Sequence, residues 1–235
     1  MSRLQAIVFD FDGVIANSEP LHLLAFQRTL ADEGIELDAD EYLARYLGYD
    51  DVGMFAALAQ DRGLAMSDRE VSALVARKGA KLADLMQAGA VLFPGAREFI
   101  LQAAAAVPVA IASGALRHEI DEILHAAGLA AHFPVIVASG DTPESKPSPA
   151  PYRLAFERLR SHTGRALDPR RVAAIEDSRW GLESAAGAGL RCVGVTNSYP
   201  AHELPGAELV VDGLQALSLA MLDRLCDTEV SGERA

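Results

Sequence analysis

Short apolar runs that stop at polar residues alternate along this chain with segments of helical period. Ala6-Ile7-Val8-Phe9 ends at Asp10, and runs of the same form occupy 107–112, 133–138, 172–175, 191–195 and 208–211. Continuous apolar runs of this length read as strands buried on both faces, the mark of a parallel sheet. Between them, Glu119, Ile120, Ile123, Leu124 and Ala127 keep a 3.6-residue period, and Gly128 supplies a stop. Ser148 before Pro149 predicts a helix start running to about Leu159, and Leu182, Ala185 and Ala186 predict another helix ending near Gly187 and Gly189. Strands alternating with helices predict a parallel sheet covered on both faces, with functional residues on the rim at the strands' carboxyl ends.

One stretch breaks the alternation. From residue 17 to 87 there is helical periodicity and no strand pattern. Leu21, Leu24, Ala25 and Arg28 are spaced for one helix face, Tyr42, Leu43, Tyr46 and Leu47 for another, and Gly34 and Gly63 read as helix ends. The core pattern resumes near Val91-Leu92-Phe93-Pro94-Gly95, and the tail after Cys226 is expected to fray. The expected organisation is therefore a core of residues 1–16 and 88–235, with an all-helical domain of residues 17–87 inserted after the first strand.

Composition narrows the classes of function. Half of the 235 residues are hydrophobic, enough for a sizeable core, and 33 acidic against 21 basic residues give a net charge of -12. That balance argues against nucleic acid as a partner, because such binding rests on Lys and Arg neutralising phosphates. A small anionic substrate is compatible with it, since a metal or a few donors reverse the field locally. The two cysteines, Cys192 and Cys226, form no metal-spaced cluster or disulfide framework. The opening residues lead straight into a short apolar run without the pattern of a signal peptide, and no stretch has the length and apolarity of a membrane span. The expectation is a soluble cytoplasmic protein with no membrane partner.

Four polar clusters sit at predicted strand ends. Asp10-Phe11-Asp12-Gly13 places two carboxylates one residue apart; Asp-Gly is also a common turn dipeptide. Crowded acids repel unless a cation or shared proton relieves them, and a hard, oxygen-seeking ion such as magnesium suits them. Ser113-Gly114 precedes a helical pattern, so the hydroxyl and nearby N–H groups suit a phosphate, or Ser113 simply caps the helix. Lys146 stands between residues that stiffen the backbone, in Ser145-Lys146-Pro147-Ser148-Pro149. Glu176-Asp177-Ser178 is a second acidic pair at a strand end, with helix capping by Asp177 or Ser178 as the plainer reading. Each cluster has an ordinary explanation alone; their joint placement on one rim is what points to a site.

With these residues in view, the sequence resembles the haloacid dehalogenase superfamily over essentially its whole length. Asp10-Phe11-Asp12-Gly13-Val14 is similar to the first family motif, Ser113 to the second, Lys146 to the third and Glu176-Asp177 to the fourth. The stretch through Gly181 and Ala185 resembles the beta-phosphoglucomutase and phosphoglycolate phosphatase branch, which carries a helical cap after the first strand. The resemblance implies an α/β fold, a Rossmann-like parallel sheet core with an inserted all-helical cap domain. It implies a magnesium-dependent phosphatase acting on a small phosphorylated metabolite, a sugar phosphate or phosphoglycolate type, through an aspartyl phosphate. Asp10 would be the nucleophile and Asp12 the acid and base, with a raised pKa. Ser113, Gly114 and Lys146 would bind phosphate. Asp10, Asp12 (through its backbone carbonyl), Glu176 and Asp177 would hold Mg2+. His22 matches the position of a cap histidine, and Arg117, with His118, could meet a second anionic group or form a solvated first helical turn. Trp180 stands where a small residue is commoner and reads as packing between core helices or as a wall of the site.

Two other functions remain in view. A sugar phosphomutase of the beta-phosphoglucomutase type would need a cap arginine for the second phosphate. The loop Leu47-Gly48-Tyr49-Asp50-Asp51 keeps the glycine but puts Asp51 where that arginine belongs, and Arg45 is out of position. A non-catalytic binding protein on the same fold would be expected to lack some of the acids, and all are present.

Overall fold

The computed structural model describes residues 3–47, 49–87 and 92–227. Gly48, Val91 and the tail beyond Asp227, on which three expectations fall, lie outside the described residues. The chain groups into two compact units, one of Met1–Asn17 with Ala90–Ala235 and one of Ser18–Gly89.

The first unit is built on six parallel strands: β1 (Ala6–Phe9), β2 (Val109–Ala112), β3 (Val135–Val137), β4 (Val172–Glu176), β5 (Arg191–Val195) and β6 (Leu209–Val211). Their order is β3-β2-β1-β4-β5-β6, the Rossmann arrangement. β1 pairs with β2 on one side and β4 on the other, so the sheet's direction of growth reverses beside β1. This is the switch point at which a crevice opens beyond the strand ends. Alternation within β1 divides the core. Ala6 and Val8 join Ala110, Ala112 and Ala174 under α7 (Ala150–Thr163) and α8 (Arg179–Gly187). Phe9 turns the other way, edge-on to Phe99 of α5 (Ala96–Ala106) and to Phe133. Small alanines on the first face let two helices approach the sheet closely, while larger rings fill the second.

Some boundaries differ from the pattern reading. α7 begins at Ala150 rather than Pro149 and runs on to Thr163, because the first left-handed stop after Leu159 is Gly164. The helix after β2, α6 (Arg117–Ala126), starts two residues later than the polar pattern suggests. Ser113 therefore lies outside its cap; its Oγ accepts from the Ala115 N–H at 3.0 Å instead.

The second unit contains α1 (Glu19–Ala31), α2 (Ala39–Arg45), α3 (Asp51–Asp61) and α4 (Asp68–Gln87), with no strand among its described residues. Asp38 and Asp50 cap α2 and α3 by accepting first-turn N–H groups. Its core gathers Phe26, Leu30, Tyr42, Tyr46, Met54, Phe55, Leu58 and Leu74. The inward face of α1 thus lies about one residue from the expected one. In α2 the inward pair is Tyr42 and Tyr46, leaving Leu43 and Leu47 exposed. The tyrosines take the inward side because their hydroxyls find partners there: Tyr42 donates to Glu19 at 2.5 Å and Tyr46 to Asp61 at 2.7 Å.

Candidate active site

The first strand delivers Asp10 to the rim. Its N–H donates to Ile175 O at 2.9 Å, extending the β1–β4 ladder one residue past the strand. The chain then coils back: Phe11 O accepts from Ile15 and Ala16 at 2.8 and 2.9 Å. Gly13 takes a φ of 76°, and a Cβ there would fall 1.8 Å from Asp177 Oδ2. The glycine of the predicted turn thus has two roles, the positive φ and the space for a carboxylate. On the other side, β4 ends at Glu176 and Asp177, and Ser178 caps α8 by accepting from Gly181 N–H at 3.1 Å. The capping reading therefore holds for Ser178 and leaves both acids to the site.

Asp10, Glu176 and Asp177 are all buried, and each presents a carboxylate oxygen within 4.8 Å of the others. One ammonium stands among them. Lys146 Nζ lies 2.6 Å from Glu176 Oε1 and 2.8 Å from Asp10 Oδ1. The ammonium thus pairs with both carboxylates, and its contact with Glu176 is also a hydrogen bond. Tyr152, fully buried on α7, donates to the same Glu176 oxygen at 2.8 Å, and Ser178 donates to the other at 3.2 Å. Ser198 hydrogen-bonds Asp177, and Asn197 Nδ2 donates to Gly13 O at 2.7 Å, tying the loop after β5 to the loop after β1.

The electrostatics follow. Burial, then the charge of Asp10, raises Glu176 above the usual carboxylate range, against the pull of Lys146 and Tyr152. Asp177 is raised by the same two causes, opposed by its bond from Ser198. Burial alone would lower Lys146, but Asp10 and Glu176 outweigh it and hold the ammonium charged. Three buried acids against one buried cation leave an excess of acidic groups. This donor set, all hard oxygen, fits a small divalent cation.

The remaining sequence candidates fall as follows. Ser113 is buried at the end of β2, its N–H bonded to Val137 O at 2.9 Å. Gly114 is exposed, with nothing within 4 Å of where a Cβ would stand. Asp12 is exposed in the loop after β1 and forms a backbone bridge with Ala16; its side chain is not in the acidic cluster. Arg117 is exposed and pairs with Asp121 at 2.9 Å, one turn on in α6, as the solvated-turn reading has it. Trp180 does not pack between helices: it is 41 % exposed, with Tyr199 edge-on and Arg179 stacked over its ring.

His22 lies on α1 within the helical unit, beside a residue the sequence reading passed over. Lys78 of α4 is only 1 % exposed and bonds both oxygens of Asp51, at 2.8 and 3.0 Å, and His22 Nδ1 at 2.9 Å. Burial, then the Lys78 charge, lowers the His22 pKa to about 4 against the opposing pull of Asp51. A signal was present: Val71, Leu74, Lys78 and Leu82 share one helical stripe, and all four are buried. For Tyr152, Ser198 and Asn197 no local signal exists, since their partners lie 21 to 184 residues away in sequence.

A parallel sheet with this order and a carboxylate cluster beyond its strand ends make an α/β core with a candidate metal site at the switch point. A model of the haloacid dehalogenase-like hydrolases matches residues 4–189, and the chain belongs to that family. It is 34% identical to Protein CbbY of Cereibacter sphaeroides over 232 residues, 94% of this chain and 97% of that one. Phosphoglycolate phosphatase of Yersinia pseudotuberculosis is 26% identical, with 83% of this chain and 82% of the relative covered. The crystal structure of CbbY from Rhodobacter sphaeroides in complex with xylulose-(1,5)bisphosphate superposes with a TM-score of 0.74 at 30% identity, covering 90% of this chain and 95% of that one. The chain is thus a phosphoric monoester hydrolase of the haloacid dehalogenase-like family, in its beta-phosphoglucomutase and phosphoglycolate phosphatase-like branch. No described helix is long and apolar enough to cross a membrane.

Proposed function

We propose that this protein is a magnesium-dependent phosphatase that hydrolyses a small phosphorylated metabolite, a sugar phosphate or phosphoglycolate type, through an aspartyl phosphate. The observation that carries this reading is the buried trio Asp10, Glu176 and Asp177 around one ammonium, three acids sharing a single cation. Such an arrangement is unfavourable unless a cation completes it. Asp10, Glu176 and Asp177 would hold magnesium, with the backbone carbonyl of Asp12; bound there, the ion withdraws charge from the phosphoryl oxygens. Asp10 attacks phosphorus in line with the leaving oxygen, and that bond breaks as the Asp10 carboxylate takes the phosphoryl group. Asp12, protonated at the outset, gives its proton to the departing oxygen, then removes one from the water that releases phosphate. Lys146, Ser113 and Gly114 steady the phosphoryl oxygens and soften the repulsion between Asp10 and an anionic substrate.

The helical unit is proposed to serve as the substrate-selecting cap, with His22 within it. What favours hydrolysis over transfer between two positions of one sugar is the state of its charges. Asp51, at the position where the mutases have arginine, is bonded to Lys78, and Arg45 is paired with Asp61 at 2.7 Å. Neither offers an unpaired cation to a second phosphate. The similarity to CbbY and to a phosphoglycolate phosphatase supports a small phosphorylated substrate. The test is phosphate release from a panel of phosphorylated sugars and small acids, with and without magnesium, for wild type and Asp10→Asn. Turnover that needs magnesium and disappears in the variant is the expected result; turnover surviving in Asp10→Asn would refute the assignment of the nucleophile.

A further inference from the structure

On the same unit as the acids lies a cavity lined by none of the residues assigned to the reaction. It measures about 410 Å³ and is lined by Arg179, Trp180, Tyr199, His202, Glu203 and Pro205. Trp180 is the chain's single tryptophan, a residue usually well buried, yet here 41 % of its surface is open. Its ring meets that of Tyr199 at 73° with centroids 6.1 Å apart, so the two form a corner. The guanidinium of Arg179 stacks 4.5 Å from the Trp180 centroid. Among the described residues no carboxylate pairs with Arg179.

The corner is also held in place. Trp180 sits in the first turn of α8, fixed by the Ser178 cap, and Tyr199 follows Asn197 and Ser198, which bond to Gly13 and Asp177. A cavity of roughly 300–1,000 Å³ is the usual size of a small-ligand site. The walls select the chemistry. Two ring faces at an angle favour a flat ring, which stacks regardless of its substituents. Arg179 lies over Trp180, and its guanidinium N–H groups are donors for an anion. A cationic ligand would meet that guanidinium, and a purely apolar one would leave Arg179, His202 and Glu203 without a role.

We propose that this corner is a binding site for a planar heterocycle carrying an anionic group, a ligand of mononucleotide size. The site is separate from the reaction centre and does not rest on the phosphatase reading. Because Trp180 is the single tryptophan, its emission reports on this corner directly. Full-length Asp10→Asn protein, which does not consume the probe, is titrated with adenosine 5′-monophosphate, adenosine, inorganic phosphate and glucose 6-phosphate. The nucleotide is expected to change Trp180 emission saturably and to bind about tenfold or more tighter than adenosine or phosphate alone. Adding Arg179→Ala or Arg179→Gln should remove the nucleotide's advantage over adenosine, and Tyr199→Ala should weaken both by about tenfold. Circular dichroism and melting temperature establish that each variant is folded, and the two Arg179 replacements guard against a local defect in either. No saturable change with the nucleotide, an undiminished response in both Arg179 variants, or an equal response to glucose 6-phosphate would overturn the proposal.

Discussion

The sharpest test of the site is a single methyl group. In α8 a Cβ built on Gly181 falls 1.8 Å from Glu176 Cδ and 1.9 and 2.0 Å from its two oxygens. Ordinary contact between carbon atoms begins near 3.5 Å, so Gly181→Ala must push the carboxylate away by about 1.5–2 Å. Glu176 is fully buried and cannot swing into solvent. The move breaks its bonds from Lys146 at 2.6 Å and Tyr152 at 2.8 Å. Hydrogen bonds to a charged group contribute about 1.5–3 kcal/mol each, and alanine returns about 1 kcal/mol of helix propensity. The net cost is about 2–5 kcal/mol, with a fall of about 10–100-fold in metal affinity as the acids lose their supports. Gly79, exposed within α4 with nothing within 4 Å of its Cβ position, is the matched control. Gly79→Ala should stabilise by about 1 kcal/mol. Urea unfolding and magnesium titration of both variants decide the matter. If Gly181→Ala is as stable and binds magnesium as tightly as Gly79→Ala, the missing Cβ is not what seats Glu176, and the reasoning is wrong.

Other outcomes follow from the charge at the rim. Asp10→Asn should lose phosphate release while the metal-free protein gains about 1–2 kcal/mol, since one crowded carboxylate becomes neutral; a lower melting temperature would contradict this. Glu176 and Asp177 have raised pKa values, so the stability linked to their protonated forms is full below the ordinary carboxylate range and is lost as pH rises through the raised values. In a His22→Gln background, free of the opposing acid limb of His22, the metal-free protein should therefore melt lower at about pH 8 than at about pH 5, and magnesium should raise the melting temperature more at the higher pH. A magnesium gain independent of pH argues against these acids as ligands. Inorganic phosphate should stabilise the protein after magnesium is added and have little effect before it, as thermal shift would show. In the helical unit the sign is opposite: His22, lowered to about 4, contributes stability that is present above its ordinary value of 6.5 and lost as pH falls toward 4. His22→Gln should flatten that acid limb, which is worth about 1–2 kcal/mol after allowance for partial exposure; an unchanged limb assigns the loss elsewhere.

What could be read from the sequence was whatever had a local cause. Strands such as Val172–Glu176 are continuous apolar runs because both faces of the sheet are covered, and the acids follow because parallel strands end at the rim. The supports around those acids were not legible. Tyr152 reads as an ordinary apolar position on α7, and nothing near it announces that its hydroxyl meets Glu176. Gly181 reads as a weak helix residue until the carboxylate in the space of its missing side chain is seen. In α2, Leu and Tyr were interchangeable to a hydrophobic pattern, and only the partners Glu19 and Asp61 show why the tyrosines turn inward. Lys78 is the intermediate case, a charge on an apolar stripe whose meaning depends on Asp51 and His22 arriving from other helices.

The overall charge and the proposed chemistry can be reconciled only at this local scale. A chain of net charge -12 that collects three carboxylates around one lysine should repel a phosphate ester on long-range grounds and at the rim itself. The raised pKa values of Glu176 and Asp177 express that same repulsion as reluctance to ionise. In the proposed mechanism a divalent cation among these groups would offset the excess, let all three acids ionise, and leave Lys146 and the donors after β2 to meet the phosphoryl oxygens. Substrate affinity then becomes conditional on the metal. The acids would then serve first to hold the ion, and only the assembled centre would present a field that an anion can enter. On this reading the crowding of Asp10, Glu176 and Asp177 makes metal and then phosphate the favoured order of binding.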